Sequence, residues 1–389
     1  MESSAHSDEE NGRAHAHASP PETKARLIAR LLAGSWRAAP PAPSISLEEL
    51  EACAPLLIVS GAAGLGWRLV RETDLSASPA ALSLREAYRL HAIHAAVYEH
   101  ELERAFELLR ARGIEPLLIK GWSSALSYPE RGLRPLGDMD LCVAPGQYCA
   151  ALEALKALED SVTPVDLHRG LKKLCACGWE ELYERSRLVP LGDSYVRVLA
   201  PEDHLHILSV HMLAHGAWRP LWLCDIGAAL ESLPEGFDWE LCLGKGARAG
   251  WVMCALGLAR VLLGARIDDD ALARRAATSL PGWLVPAVLK EWEAPFTPSY
   301  YQMPMAAWLR YRKGLRSALT SRWPNPIEAT VSLRVPFNEW PRWPIQLGSG
   351  LLRTARFLTG LPRAVKEAGA RPASFVLQPS SLTREPFEE

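Results

Sequence analysis

The sequence predicts an α+β chain, with a small mixed sheet flanked by helices and a helical unit after it. Three observations carry this. Helical spacing over residues 84–112 runs into a short apolar stretch at 116–119. Period-two alternation follows at 138–143 and again at 162–168. Beyond Ala200 the alternation stops, and helical patterns joined by short turns take over.

Residues 1–21 are polar, with almost no large apolar side chains, which predicts a disordered tail containing His15 and His17. Residues 22–83 read as an N-terminal helical segment, broken by Ala38-Ala39-Pro40-Pro41-Ala42-Pro43. Ser46-Leu47-Glu48-Glu49 then marks a helix start. In the long helix, Ile93 and Val97 are four apart, as are Leu102 and Phe106, and Gly113 is a stop. The mixed core covers 84–200: strands at 116–119 and 138–143, a helix at 147–159, and strands at 162–168 and 195–199. Pro201-Glu202-Asp203 opens the next helix, with proline in the first turn and carboxylates at the positive dipole end. The helical unit covers 201–300, a Trp/Pro-rich extension 301–370 and a loose tail 371–389.

A net charge of -2 over 389 residues predicts no nucleic-acid partner. The most apolar stretches, 56–70 and 251–263, are interrupted by Arg68 and Arg260, so no membrane span is expected. The start carries Asp8-Glu9-Glu10 in place of a basic, then apolar, leader, which predicts no secretory signal and a cytoplasmic location. The 8 cysteines sit mostly in apolar patterns and read as small core residues. Cys175-Ala176-Cys177 lacks the spacer and the second pair of a zinc module.

The chemistry concentrates between Leu118 and Leu141. An apolar strand enters the turn Lys120-Gly121, and an arginine-bearing loop then leads to Asp138-Met139-Asp140. Alternation puts Asp138 and Asp140 on one face of a strand. Two carboxylates beside a basic turn are suited to holding divalent metal against a polyphosphate.

These residues carry a family resemblance. Lys120-Gly121, then Arg134-Pro135-Leu136-Gly137-Asp138-Met139-Asp140, then Asp166-Leu167-His168 resemble the uncharacterised bacterial nucleotidyltransferases of the DNA polymerase β-type superfamily. The run from Pro201 through His211 and His215 to Cys224-Asp225-Ile226 is similar to that family's helical region. The resemblance implies a nucleotidyltransferase-type α+β fold with a helical substrate-binding domain. It implies an enzyme moving a nucleoside monophosphate from an NTP, such as ATP, to an acceptor, with release of pyrophosphate. The acceptor stays open between a small molecule, a sugar and a peptide. The implied cofactor is Mg²⁺ or Mn²⁺, two ions about 4 Å apart gripping the attacking and leaving oxygens.

The residues agree with it. Asp138, Asp140 and Asp166 are the expected metal ligands and catalytic carboxylates, Asp166 also taking the acceptor's proton. Gly121 lets the backbone approach phosphate, Ser123 bonds a phosphate oxygen, and Lys120 and Arg134 neutralise the β- and γ-phosphates. His168 shares Asp166's face and either orients it or touches the acceptor. Trp122, between Gly121 and Ser123, departs from the Gly-Ser or Gly-Gly turn common in the superfamily.

Other readings stand beside this one. His204, His211 and His215 share a helical face; packing or bonds to Asp225 account for His211 and His215 as well as lining the nucleotide or acceptor side of a cleft does. A zinc hydrolase built on that pair lacks the metalloprotease glutamate between them. Trp218 and Trp222 read as core. A non-catalytic nucleotide- or partner-binding module of the same fold would use the same cleft.

Overall fold

Ser78 and Pro79 set the start of the longest helix. The Ser78 hydroxyl accepts from the Ala81 amide at 3.2 Å, and Pro79 in the first turn has no N–H to leave unpaired. The computed structural model describes residues 22–158, 160–171, 177–293 and 323–368. Outside the described residues lie the two expected tails (with His15 and His17), Cys175 and Ala176, and residues 301–322 of the Trp/Pro-rich extension.

The elements run α1 (Lys24–Leu32), α2 (Leu47–Val59), α3 (Ala63–Val70), α4 (Pro79–Arg110), β1 (Leu117–Leu118), α5 (Trp122–Ala125) and β2 (Met139–Val143). Next come α6 (Tyr148–Leu155), β3 (Val165–Arg169), α7 (Trp179–Arg185), β4 (Arg187–Leu191), β5 (Ser194–Val198), α8 (Pro201–Ala214) and α9 (Pro220–Leu230). The remaining described helices are α10 (Trp239–Leu243), α11 (Ala247–Leu263), α12 (Asp270–Thr278), α13 (Leu284–Glu293), α14 (Pro326–Ser332) and α15 (Trp343–Ala368).

The architecture is mixed α+β. One five-stranded sheet has the order β3-β2-β1-β5-β4. β2 pairs parallel with β3 and β1 parallel with β5; β1 with β2 and β4 with β5 are antiparallel. The sequence reading missed β4, because Pro190 argues against a strand. β4 is an edge strand, where a missing N–H breaks no ladder bond, so proline is tolerated. Gly192 has φ +56 and opens the two-residue turn of the β4–β5 hairpin. α7 was also missed, being short.

The two sheet faces have different jobs. Met139, Leu141 and Val143 pack with Phe106 and Leu109 of α4 and Ala151 and Leu155 of α6. Burying each such large side chain contributes about 1.5–3 kcal/mol. Leu117, Ile119 and Cys142 face the other way, against Leu182, Leu199 and Ile207. The carboxylates of interest lie on this second face, by the alternation of the strands.

A separate cluster joins α1–α3, the start of α4, α8, α9 and α11–α13. α4 therefore serves both bodies: Ala80, Ala81 and Leu84 pack in the helical cluster, and Tyr98 through Leu109 pack under the sheet. Ile93 and Val97 supplied part of the helical spacing in the sequence, yet Ile93 is 64% exposed and Val97 is exposed as well. The helix is real, but its buried stripe is Ala95, Tyr98, Leu102, Ala105, Phe106 and Leu109.

The seven described cysteines form no disulfide; four of those in helices and Cys142 in β2 are buried. Ile327 and Val331 of α14 join the helical cluster, whereas Trp323, Trp340 and Trp343 are exposed. Among the described residues no helix is long and apolar enough to cross a membrane.

Candidate active site

The parallel register of β2 and β3 builds the centre of the site. Asp140 stands opposite Asp166, and Cys142 opposite His168. The backbone N–H of Ile119 donates to the Asp140 carbonyl at 3.0 Å, so the chain leaving β1 delivers Lys120 beside Asp140. Lys120 Nζ lies 2.7 Å from Asp140 Oδ1. His168 Nε2 sits between two carboxylates, 3.4 Å from Asp140 Oδ1 and 3.3 Å from Asp166 Oδ2. One ligand atom from each of Asp140, Asp166 and His168 falls within 4.8 Å of the others, a group able to hold a metal ion.

The charges are arranged unevenly. Asp140 is 2% exposed. Burial opposes its ionisation, but Lys120 and His168 outweigh that and hold its pKa below the ordinary value. Burial likewise opposes the charged form of His168, yet its bonds to Asp140 and Asp166 push it up to about 10. The imidazolium is thus the form at neutral pH, and coordination through His168 requires loss of that proton. Asp138 lies just before β2, outside the trio, with its side chain reaching solvent. The protein around its carboxyl, and then the charge of Asp140, push its pKa up.

Gly121 makes the turn. Its φ of +75° and ψ of -102° lie where residues with a Cβ are strained. Space is not the issue, since an added Cβ would meet only Tyr98 Oη at 3.5 Å and the Asp138 carbonyl at 3.8 Å. Gly121→Ala should therefore cost about 1–2 kcal/mol from the backbone alone. Thermal melting should show a drop of a few degrees.

The expected phosphate-binding side chains fall in two groups. Lys120 faces the carboxylates. Ser123, in α5, instead turns its hydroxyl to His204 Nε2 at 3.4 Å, and Ser124 does the same at 3.2 Å. Arg134 also departs from the sequence reading: it does not stand free to meet phosphates. Its Nε and Nη2 donate to Asp225 Oδ1 and Oδ2 at 2.9 and 3.0 Å. Tyr128 Oη donates to the same carboxylate at 2.8 Å. Asp225 is fully buried, so a full positive charge is needed beside it, and Arg134 supplies it.

His204 and His211 of α8 and His215 at its end share one helical face, and His204 meets Ser123 and Ser124 there, whereas His206 turns to the Cys242 carbonyl. His204 is pushed down to about 4 by burial, with Arg134 adding to the shift. His211 and His215 are also lowered, first by burial and then by the charge of Lys120. The two rings touch at 4.4 Å between centroids, and both touch Trp222. The expected bond from this pair to Asp225 is not how that carboxylate is used. Among the described residues the pair gathers no third metal ligand, which removes the support for a zinc site.

Sequence reading missed Tyr98, whose hydroxyl donates to the Asp138 carbonyl at 3.3 Å from α4 and so ties the metal-site loop to the helix. It also missed a cavity of about 310 Å³ beside the loop, lined by Glu99, Trp122, Tyr128 and Arg131 among others. None of Asp138, Asp140, Asp166 or His168 lines that cavity.

With this geometry in hand, comparison with protein families is decisive. The family model described as uncharacterised nucleotidyltransferase matches residues 48–265, more than half of the chain. The chain belongs to this family. The match begins in α2, earlier than the motifs that start at Lys120, and runs past the end of α11. It spans the whole sheet and the α8–α9 pair, so the nucleotidyltransferase domain includes both the carboxylates and the histidine-bearing helix. No curated protein matches the chain, and no solved structure does.

Proposed function

We propose that this nucleotidyltransferase moves a nucleoside monophosphate from an NTP to a hydroxyl, or a similar nucleophile, on a small molecule, a sugar or a peptide. The observation that carries the reading is the meeting of Asp140 and Asp166, from adjacent parallel strands, beside Lys120. The donor set fits a hard divalent cation, being mainly carboxylate oxygen. Asp138, Asp140 and Asp166 are the residues that would hold Mg²⁺ or Mn²⁺, which when bound neutralises phosphate oxygens and lowers the charge barrier to attack.

The remaining work falls to the chain's own groups. Asp166, the more exposed member of the trio, takes the proton of the acceptor hydroxyl. Such base assistance is worth about a hundred- to ten-thousandfold. The acceptor oxygen then bonds to the α-phosphorus, the bond from that phosphorus to the bridging oxygen breaks, and pyrophosphate leaves with the electron pair. Lys120 is the mobile cation for the β- and γ-phosphates once Asp140's charge is taken up elsewhere. Gly121 gives the backbone its close approach, and Ser123 supplies a hydroxyl to a phosphate oxygen by exchanging its long contact with His204 for it. Arg134 contributes field only, because its donors are held by Asp225. His168 fixes the orientation of Asp166, and His211 and His215 line the nucleotide side.

The test is transfer of label from α-phosphorus-labelled NTPs to a panel of sugars, small alcohols and hydroxyl-bearing peptides. Mass spectrometry should find an acceptor heavier by one nucleoside monophosphate, matched by pyrophosphate. EDTA should abolish the transfer, and added Mg²⁺ or Mn²⁺ should restore it. NTP binding with no product across the panel would favour a non-catalytic binding module.

A further inference from the structure

A wall of rings stands at the junction of α8 and α9. His211 and His215 pack at 4.4 Å, Trp222 meets His211 at 5.0 Å and His215 at 5.4 Å, and Trp218 meets Trp222 at 5.3 Å. The Arg219 guanidinium lies 5.8 Å from the Trp222 centroid. These five side chains are neither fully buried nor fully exposed, so ring surface remains accessible. Core aromatics of this chain, such as Trp292 and Tyr98, are instead closed off almost completely.

The turn that presents the wall is held under strain. Gly216 has φ +73, and Ala217, which carries a Cβ, has φ +55. Both carbonyls are pinned from distant elements: Trp292 Nε1 donates to Ala217 O at 2.9 Å, and Asn325 Nδ2 to Gly216 O at 3.2 Å. A left-handed alanine is strained, and it persists only where the surroundings over-determine the geometry. Here the geometry aims Trp218 at Trp222.

We infer that His211, His215, Trp218 and Trp222 form the subsite for the nucleobase of the donor nucleotide, a flat uncharged heteroaromatic ring. The inference rests on the triphosphate reading of the Asp140–Asp166 centre. Its direction comes from Lys120. That residue pairs with Asp140, and Ser123 and Ser124 just after it meet His204, which shares a helical face with His211 and His215, so the ring wall continues the side of the turn on which Lys120 lies. Whatever is covalently attached to a triphosphate held at Lys120 arrives at the rings. The guanidinium of Arg219 already lies against the Trp222 ring, which disfavours a second cation there and suits an uncharged, electron-rich ring.

Binding of ATP and of inorganic tripolyphosphate, each with Mg²⁺, to the full chain separates the two ideas. Wild type should bind ATP more tightly than tripolyphosphate. Trp222→Leu should weaken ATP by about ten- to a hundredfold and leave tripolyphosphate unchanged. Trp218→Leu should act in the same direction, and circular dichroism checks that each variant folds. Equal wild-type affinity for the two probes overturns the base subsite while leaving the triphosphate reading in place. So does a folded Trp222→Leu that keeps ATP affinity or loses both probes alike. Failure of wild type to bind either probe removes the triphosphate reading and this inference with it.

Discussion

Asp140→Asn should lower nucleotidyl transfer by about a hundred- to a thousandfold, the range seen when one preorganised electrostatic partner of a transition state is removed. Asp140 belongs to the candidate metal trio, holds Lys120 at 2.7 Å and touches His168. One substitution therefore weakens three functions of the site. Label transfer under saturating Mg²⁺ is the measurement; turnover at the wild-type rate would contradict the proposed chemistry. The sequence suggested that alanine at Asp138 or Asp140 would spare folding, because solvated carboxylates repel one another. The geometry divides the pair. Asp138 reaches solvent, and its substitution should cost activity without lowering Tm. Asp140 is buried against two cations, and Asp140→Ala should lower Tm as well, because Lys120 and His168 lose a shared counter-charge.

Asp225→Ala should be the most destabilising change near the site, at about 3–5 kcal/mol. Asp225 has no exposed side-chain surface, and Arg134 and Tyr128 both donate to it. Removal of the carboxylate leaves a buried guanidinium without a counter-charge, held among the described residues only by its bond to the Pro135 carbonyl. Burial, and then the charge of Asp225, pushes the Tyr128 hydroxyl far above its ordinary pKa, so it stays protonated and cannot compensate. Urea denaturation should show a midpoint shift consistent with that loss. A double substitution, Arg134→Met with Asp225→Leu, should recover most of it, since an apolar pair of similar volume removes the stranded charge. Failure of the double variant to recover would place the defect in Tyr128 and packing.

The contrast between these two aspartates marks what a sequence can disclose. Asp138, Asp140, Asp166 and His168 were legible because strand alternation sorts side chains onto faces within a few residues. The partnership of Asp140 with Asp166 was expected only with the help of the family resemblance, because the parallel register of β2 and β3 that sets it is not a local pattern. Arg134 was read as a phosphate ligand from its place beside the carboxylates. Its actual partner lies 91 residues away, across the α8–α9 packing, where local pattern carries no information. β4 was hidden by Pro190, whose tolerance depends on edge position, itself a property of the finished sheet. Trp218 and Trp222 read as core, and Trp222 does pack against the helical cluster; the partial exposure of both beside the left-handed turn at Gly216 and Ala217 was not legible in the sequence.

The 32 residues of α4 make a rod of roughly 48 Å at 1.5 Å per residue. Its first turns belong to the helical cluster and its last turns to the underside of the sheet. A fragment cut at the start of β1 would strip Phe106 and Leu109 from beneath Met139 and Leu141, and a cut farther upstream would open the other body. The sheet is thus not an excisable cassette, because one continuous helix supplies core side chains to it and to the helical body alike.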